Sequence, residues 1–173
     1  MPYVALALRL TLAGVFLVSG LMKARSVGDT VAMWTSLLKS LRLSGRSLAE
    51  AASWTLIGVE TVTGVALLAG GGLSVPALVS AMVLLSIFSA MAVLSARAKL
   101  NLACACFGRA TTPLGWRHVW RNLVLLSIAV AGVTVQADIP LEAGGIAVSV
   151  VAAVVITLLT AFYDDIVDLV RGE

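Results

Sequence analysis

Two cysteines occur in the chain, and a single residue separates them in Cys104-Ala105-Cys106-Phe107-Gly108. Clustered cysteines serve as redox centres or as metal ligands. For redox work the thiolate is the nucleophile, and nearby positive charge lowers the thiol pKa. Arg97, Lys99, Arg109, Arg117 and Arg121 flank the pair and supply that charge. His118 is the one histidine of the chain and can carry a proton to or from a thiol; its other reading is a passive interfacial residue. A disulfide across one intervening residue closes a strained ring, which makes such a bond labile rather than structural. Gly108 lets the chain turn sharply after the pair. Two other readings stand beside thiol redox. Cys104, Cys106 and His118 offer three ligands for Cu(I) or Zn, although no fourth is near and no metal site is assigned. The cysteines also fit as two small apolar residues packed at a helix end.

A second set of chemically loaded residues lies inside apolar sequence. Arg9 is the single charge of the stretch Tyr3–Met22, and Glu60 that of Ala51–Gly70. A charge at the bilayer centre costs at least about 2.5–3.5 kcal/mol, so intramembrane charges pair or face a polar cavity. Counted from the span ends, both lie at similar depth. Pairing of Arg9 with Glu60 around a polar pocket is therefore predicted. The alternative is that Arg9 snorkels to the near interface and Glu60 is protonated.

These residues must be carried by helices in a membrane. Of 173 residues, 60% are hydrophobic and 12% charged, and the mean hydropathy is +1.05. A soluble domain of this size has too much surface to hide so much apolar side chain. A soluble enzyme, a disordered chain and a disulfide-stapled secreted module are excluded. The net charge of +3 says little about nucleic acid, and no nucleic-acid partner is expected. A spanning helix needs about 20 mostly apolar residues. Five spans are predicted, over residues 3–22, 51–70, 73–96, 113–135 and 143–163, in one integral membrane domain covering 1–173. The first lacks a basic leader and a cleavage site, so it is read as a span rather than a signal peptide. Thr112 and Pro113 are expected to start the fourth. Gly70-Gly71-Gly72 reads as a tight hairpin.

The connection from Lys23 to Ser53 is patterned. Val31, Trp34, Leu37, Leu38 and Leu41 fall on one helix face, which predicts an amphipathic helix at the membrane interface that ends near Ser44-Gly45. A cap helix packed on the bundle is the other reading. Ser47 and Glu50 read as a capping box that starts the second span. The first connection holds Lys23, Arg25, Lys39, Arg42 and Arg46, and the third holds the basic residues around the cysteines. The second and fourth hold none. The positive-inside rule puts connections one and three in the cytoplasm and the N-terminus outside.

Along the chain, several short motifs resemble those of a known family. Arg9, Gly14, Phe16 and Ser19-Gly20-Leu21-Met22-Lys23 resemble the first-helix pattern of DoxX-like membrane proteins. Glu60, Gly64 and Leu67-Leu68-Ala69-Gly70 are similar to their second-helix pattern. Cys104-Ala-Cys106-Phe107-Gly108, Leu114-Gly115 and Arg121-Asn122-Leu123 resemble the MauE branch, the methylamine-utilisation proteins. The likeness covers roughly residues 1–135. It implies an all-α polytopic transmembrane bundle: a four-helix DoxX/MauE-like core, here with a fifth C-terminal span and the interfacial helix between the first two spans. It also implies a plasma-membrane component of thiol redox, acting beside a thioredoxin-like partner in the maturation of a disulfide-containing client. Carried over by position, Cys104 and Cys106 are the redox pair. Arg9, Lys23, Glu60, Arg121 and Asn122 are polar residues of the bundle. The dithiol is similar to that of quinone-coupled membrane thiol oxidoreductases, so a quinone is a cofactor by analogy only. A thioredoxin-like partner outside the cytoplasm would place the cysteines on the outer face, against the charge rule. A non-catalytic assembly partner and a metal-handling protein are the competing functions.

Overall fold

In the computed structural model the described residues are 2–40, 42–43, 45–98, 115–135, 142–163, 166–167 and 169. Among the described residues six α-helices follow one another: α1 Pro2–Arg25, α2 Val27–Ser40, α3 Arg46–Ala69, α4 Ser74–Ala98, α5 Trp116–Thr134 and α6 Ala143–Ala161. No strand occurs among the described residues. The molecule is an all-α polytopic bundle. Four helices, α1, α3, α4 and α6, are long and apolar enough to cross a membrane. The expected fourth span is represented by α5, which falls short of that measure because its first turns carry Arg117, His118, Arg121 and Asn122. Thr112 and Pro113, expected at its start, lie outside the described residues.

Helix α1 is the axis of the bundle. It runs antiparallel to α3 at close range. A β-carbon on Gly20 would lie 2.9 Å from Thr61 Oγ1, and one on Gly64 would lie 2.7 Å from Leu17 Cγ. Small residues at such crossings let two backbones approach closely, which is how apolar helices gain packing in lipid. Helix α6 runs parallel to α1: Ser149 donates to the Tyr3 carbonyl at 3.0 Å and Thr157 to the Thr11 carbonyl at 3.3 Å. Helices α4 and α5 are antiparallel, with Leu78 against Gly132 near one end and Ala92 with Val119 near the other. The main core gathers Leu12, Phe16, Leu67, Leu78, Leu85 and Leu125 from four helices. Large apolar residues such as Val62, Val79 and Val148 stand exposed on the outer faces, as lipid-facing side chains do.

The amphipathic helix forms as α2. Its inner face buries Met33 and packs Trp34 and Leu37 with Ala92 and Val119, so this stripe is turned to the bundle. It ends earlier than predicted. Leu43 N–H donates to the Leu38 carbonyl at 2.8 Å and Arg42 N–H to the Lys39 carbonyl at 3.0 Å. Arg42, with φ of 59°, takes the left-handed position. This is a Schellman cap built on a residue with a side chain instead of glycine. We expect Arg42→Gly to raise thermal stability by about 0.5–1 kcal/mol, because the left-handed backbone penalises a β-carbon. Thermal unfolding of the detergent-solubilised variant is the check.

The predicted capping box is not formed. Helix α3 starts at Arg46 behind Gly45, with no side-chain cap. Ser47 therefore lies inside the helix rather than at its cap, and Glu50 takes Arg46 Nε at 2.9 Å, one turn away. The glycine hairpin is confirmed. Gly70 has φ 71° and ψ −152°, and a single 3-10 turn over Gly71–Leu73 leads into α4. That backbone region is open to glycine alone. A β-carbon there would also lie 2.6 Å from Arg9 Nη1. Gly70→Ala should therefore destabilise by roughly 1–3 kcal/mol, seen as a lowered melting temperature.

Candidate functional site: a buried polar cluster

The charged residue that answers Glu60 is Lys23. Its Nζ lies 2.7 Å from Glu60 Oε1 and 2.9 Å from Oε2, and 2.5 Å from Ser19 Oγ. Ser19 donates in turn to Glu60 Oε2 at 3.4 Å. The three ammonium protons thus have acceptors. Both charged side chains are sealed, at 2% and 0% exposure. The Phe88 ring of α4 lies with its centroid 5.3 Å from Lys23 Nζ, within cation–π range. Three helices therefore close over one ion pair.

This arrangement corrects two sequence expectations. Arg9 does not pair with Glu60. The glycine crossings set Glu60 opposite Ser19, ten residues along α1 from Arg9, which is about 15 Å of helical rise. Arg9 instead reaches the α3–α4 turn, where Nη1 donates to Ser74 Oγ at 3.4 Å and the guanidinium lies against Gly70. Lys23, which the sequence places among the basic residues of the first connection, belongs to the last turns of α1 and is buried. The first-connection end keeps Arg25, Lys39, Arg42 and Arg46 as its exposed cations.

Helix α5 brings the remaining polar residues to the same end of the bundle. Arg121 stands close enough to Lys23 to act on it by charge repulsion. His118 and Asn122 are buried on the same helix. His118 closes the start of α5 through two contacts with Gly115. Its backbone N–H donates to the Gly115 carbonyl at 3.0 Å, and its Nδ1 accepts from the Gly115 N–H at 3.4 Å. The ring closes the start of α5 as a Gln or Glu does in a capping box. Between α5 and α6 an open cavity of about 240 Å³ runs from Trp120 and Arg121 to Ile156 and Tyr163. Cys104 and Cys106 lie outside the described residues, in the connection between α4 and α5. Of the sequence-derived polar set, the structure joins Lys23 and Glu60, sets Arg121 and Asn122 on α5 at the same end, and sets Arg9 apart. Ser19 and Phe88 enter the cluster unforeseen. Ser19 was legible as a hydroxyl one helical turn from Lys23, on the same face; nothing in the sequence marks Phe88.

Apolar helices wrapped around a sealed ion pair define a multi-pass membrane protein with a polar core. The first 135 residues, 1–135, match the family model described as methylamine utilisation protein MauE, and the chain belongs to that family. The match spans α1 to α5 and stops before α6. No curated protein and no solved structure matches the chain.

Proposed function

We propose that this protein is a thiol–disulfide component of the plasma membrane, serving the maturation of disulfide-containing clients in a methylamine-utilisation context. The observation that carries this reading is the Cys104-Ala-Cys106 pair, which holds both cysteines of the chain and lies inside the region matched to the family. In the exchange, a client thiolate attacks the Cys104–Cys106 disulfide and forms a mixed disulfide. A second client thiolate then displaces the chain's sulfur. The client gains a disulfide and this chain becomes a dithiol. A thioredoxin-like partner or a quinone would take the two electrons and two protons that return the pair to its oxidised form. Arg97 and Arg117, at the facing ends of α4 and α5, add positive charge that favours the thiolate. The Lys23–Glu60 cluster supports the reading by joining α1 to α3 beneath Phe88 of α4, the helix that leads into the cysteine connection. His118 serves as a helix cap at the start of α5, and its role as a proton carrier is part of the proposal. Differential alkylation tests the proposal. Opened membranes, oxidised or reduced and then treated with a maleimide, should add two labels per chain only after reduction. Two labels in both states would refute the redox reading. A chelator-dependent change in labelling would favour metal handling.

A further inference from the structure

Beside α2 and the start of α3, lined by none of the polar-cluster residues, lies an open cavity of about 400 Å³. Its walls are Val31, Ala32, Leu38 and Leu43. Thr35 also lines it, but its hydroxyl is turned back to the Val31 carbonyl at 2.7 Å, so it presents a methyl. Two cations from different elements stand at the rim: Lys39 near the end of α2 and Arg46 at the start of α3. The Schellman turn at Arg42 is what folds Leu43 back toward Leu38 and shapes the floor. Arg46 gives its Nε to Glu50 and keeps 88% of its side chain exposed, leaving the Nη groups for another acceptor. Residues 28–46 carry Lys39, Arg42 and Arg46 against one acid, Asp29. The outer side of α3 shows Leu48 and Trp54 exposed within its first turns, as an interfacial anchor would.

An apolar groove capped by two cations at a membrane interface matches one chemistry: a phosphate on an acyl chain. We propose that this groove binds an anionic phospholipid, its headgroup phosphate between Lys39 and Arg46 and one acyl chain along Val31, Leu38 and Leu43. The site is independent of the thiols. It ties the α2–α3 corner to the anionic leaflet.

The test is native mass spectrometry of the full chain in detergent, with phosphatidylglycerol, phosphatidylcholine or sn-glycerol 3-phosphate added. Phosphatidylglycerol should be retained in preference to phosphatidylcholine. Each cation near a membrane surface contributes about fivefold in affinity, so Lys39→Gln/Arg46→Gln should weaken phosphatidylglycerol binding roughly 25-fold and phosphatidylcholine, whose choline offsets its phosphate, by much less. Ala32→Trp, which fills the groove without touching a charge, should weaken both lipids. Unchanged melting temperatures verify that these variants fold. Equal retention of the two lipids, or a double variant that keeps the preference, overturns the proposal. Competition by free glycerol phosphate as strong as by the lipid also overturns it, because the site would then be a soluble-phosphate site.

Discussion

Lys23→Met is expected to destabilise the protein by about 3–5 kcal/mol, since it leaves the Glu60 carboxylate sealed in the bundle with only Ser19 as a partner. Glu60→Leu should cost a similar amount by stranding the ammonium. The double variant should lose less than either single, because an apolar pair of similar volume removes the desolvation penalty together with the attraction. Ser19→Ala should cost about 1–2 kcal/mol, because it deletes one acceptor from a buried cation. Thermal unfolding of the four variants in one detergent closes the cycle. Additive losses in the double would show that Lys23 and Glu60 stabilise the bundle separately and that the 2.7 Å contact is incidental. The cycle also separates pairing from simple burial. If Arg121 contributed by attraction to Glu60 rather than repulsion of Lys23, Arg121→Gln would aggravate the loss in Lys23→Met instead of leaving it unchanged.

The second large effect falls on the cysteines. Cys104→Ser or Cys106→Ser should abolish reversible oxidation outright, since a two-electron exchange needs both sulfurs. Each single variant should take one maleimide whether or not it is first reduced, where the parent takes none and then two. In cells, either variant should arrest client maturation while the protein still accumulates in the membrane. Normal maturation in both variants would make this chain an assembly partner whose bundle matters and whose thiols do not. A membrane-impermeant maleimide on intact cells reads the side. The exposed cations Arg25, Lys39, Arg42 and Arg46 gather at the end of the bundle where α4 stops and α5 starts, so the positive-inside rule predicts a cytoplasmic pair. Cells should therefore stay unlabelled until opened. Labelling of intact cells would move the pair to the outer face and leave its chemistry standing.

Composition and apolar run lengths were enough to read an all-helical membrane bundle and the glycine hairpin, because lipid permits few ways to satisfy a backbone. The helix α2 was legible from its one-sided pattern. Its end was not, since the cap uses arginine where glycine is expected. The ion pair shows where such reading stops. That Glu60 needs a partner follows from its residue type alone. Which partner it takes depends on helix register, and register is set by Gly20 against Thr61 and Gly64 against Leu17, contacts that no periodicity reveals. Lys23 was further disguised by its place at the apparent end of an apolar run, where a lysine ordinarily marks the interface. Arg9 was assigned to Glu60 because depth was counted from span ends, and the adjoining ends of α1 and α3 are not level: Glu60 lies fourteen residues into α3 yet opposite Ser19, six residues from the end of α1.

The sealed pair also bears on how the chain is made. Lys23 and Glu60 are 37 residues apart. At roughly 5–20 residues per second, about 2–7 s pass between synthesis of the lysine and of the glutamate. Through that interval α1 has no carboxylate to offer its ammonium. Lys23 stands two residues from the helix end, close enough to keep its head at the water boundary while the rest of α1 is already in lipid. Arrival of α3 is then expected to draw the lysine inward to the Glu60 carboxylate and so fix the final depth of the first helix. Insertion of the first helix is thus completed by the second spanning helix to emerge. A nascent chain arrested before Glu60 should hold Lys23 open to water-borne reagents, and one arrested after α3 has inserted should not.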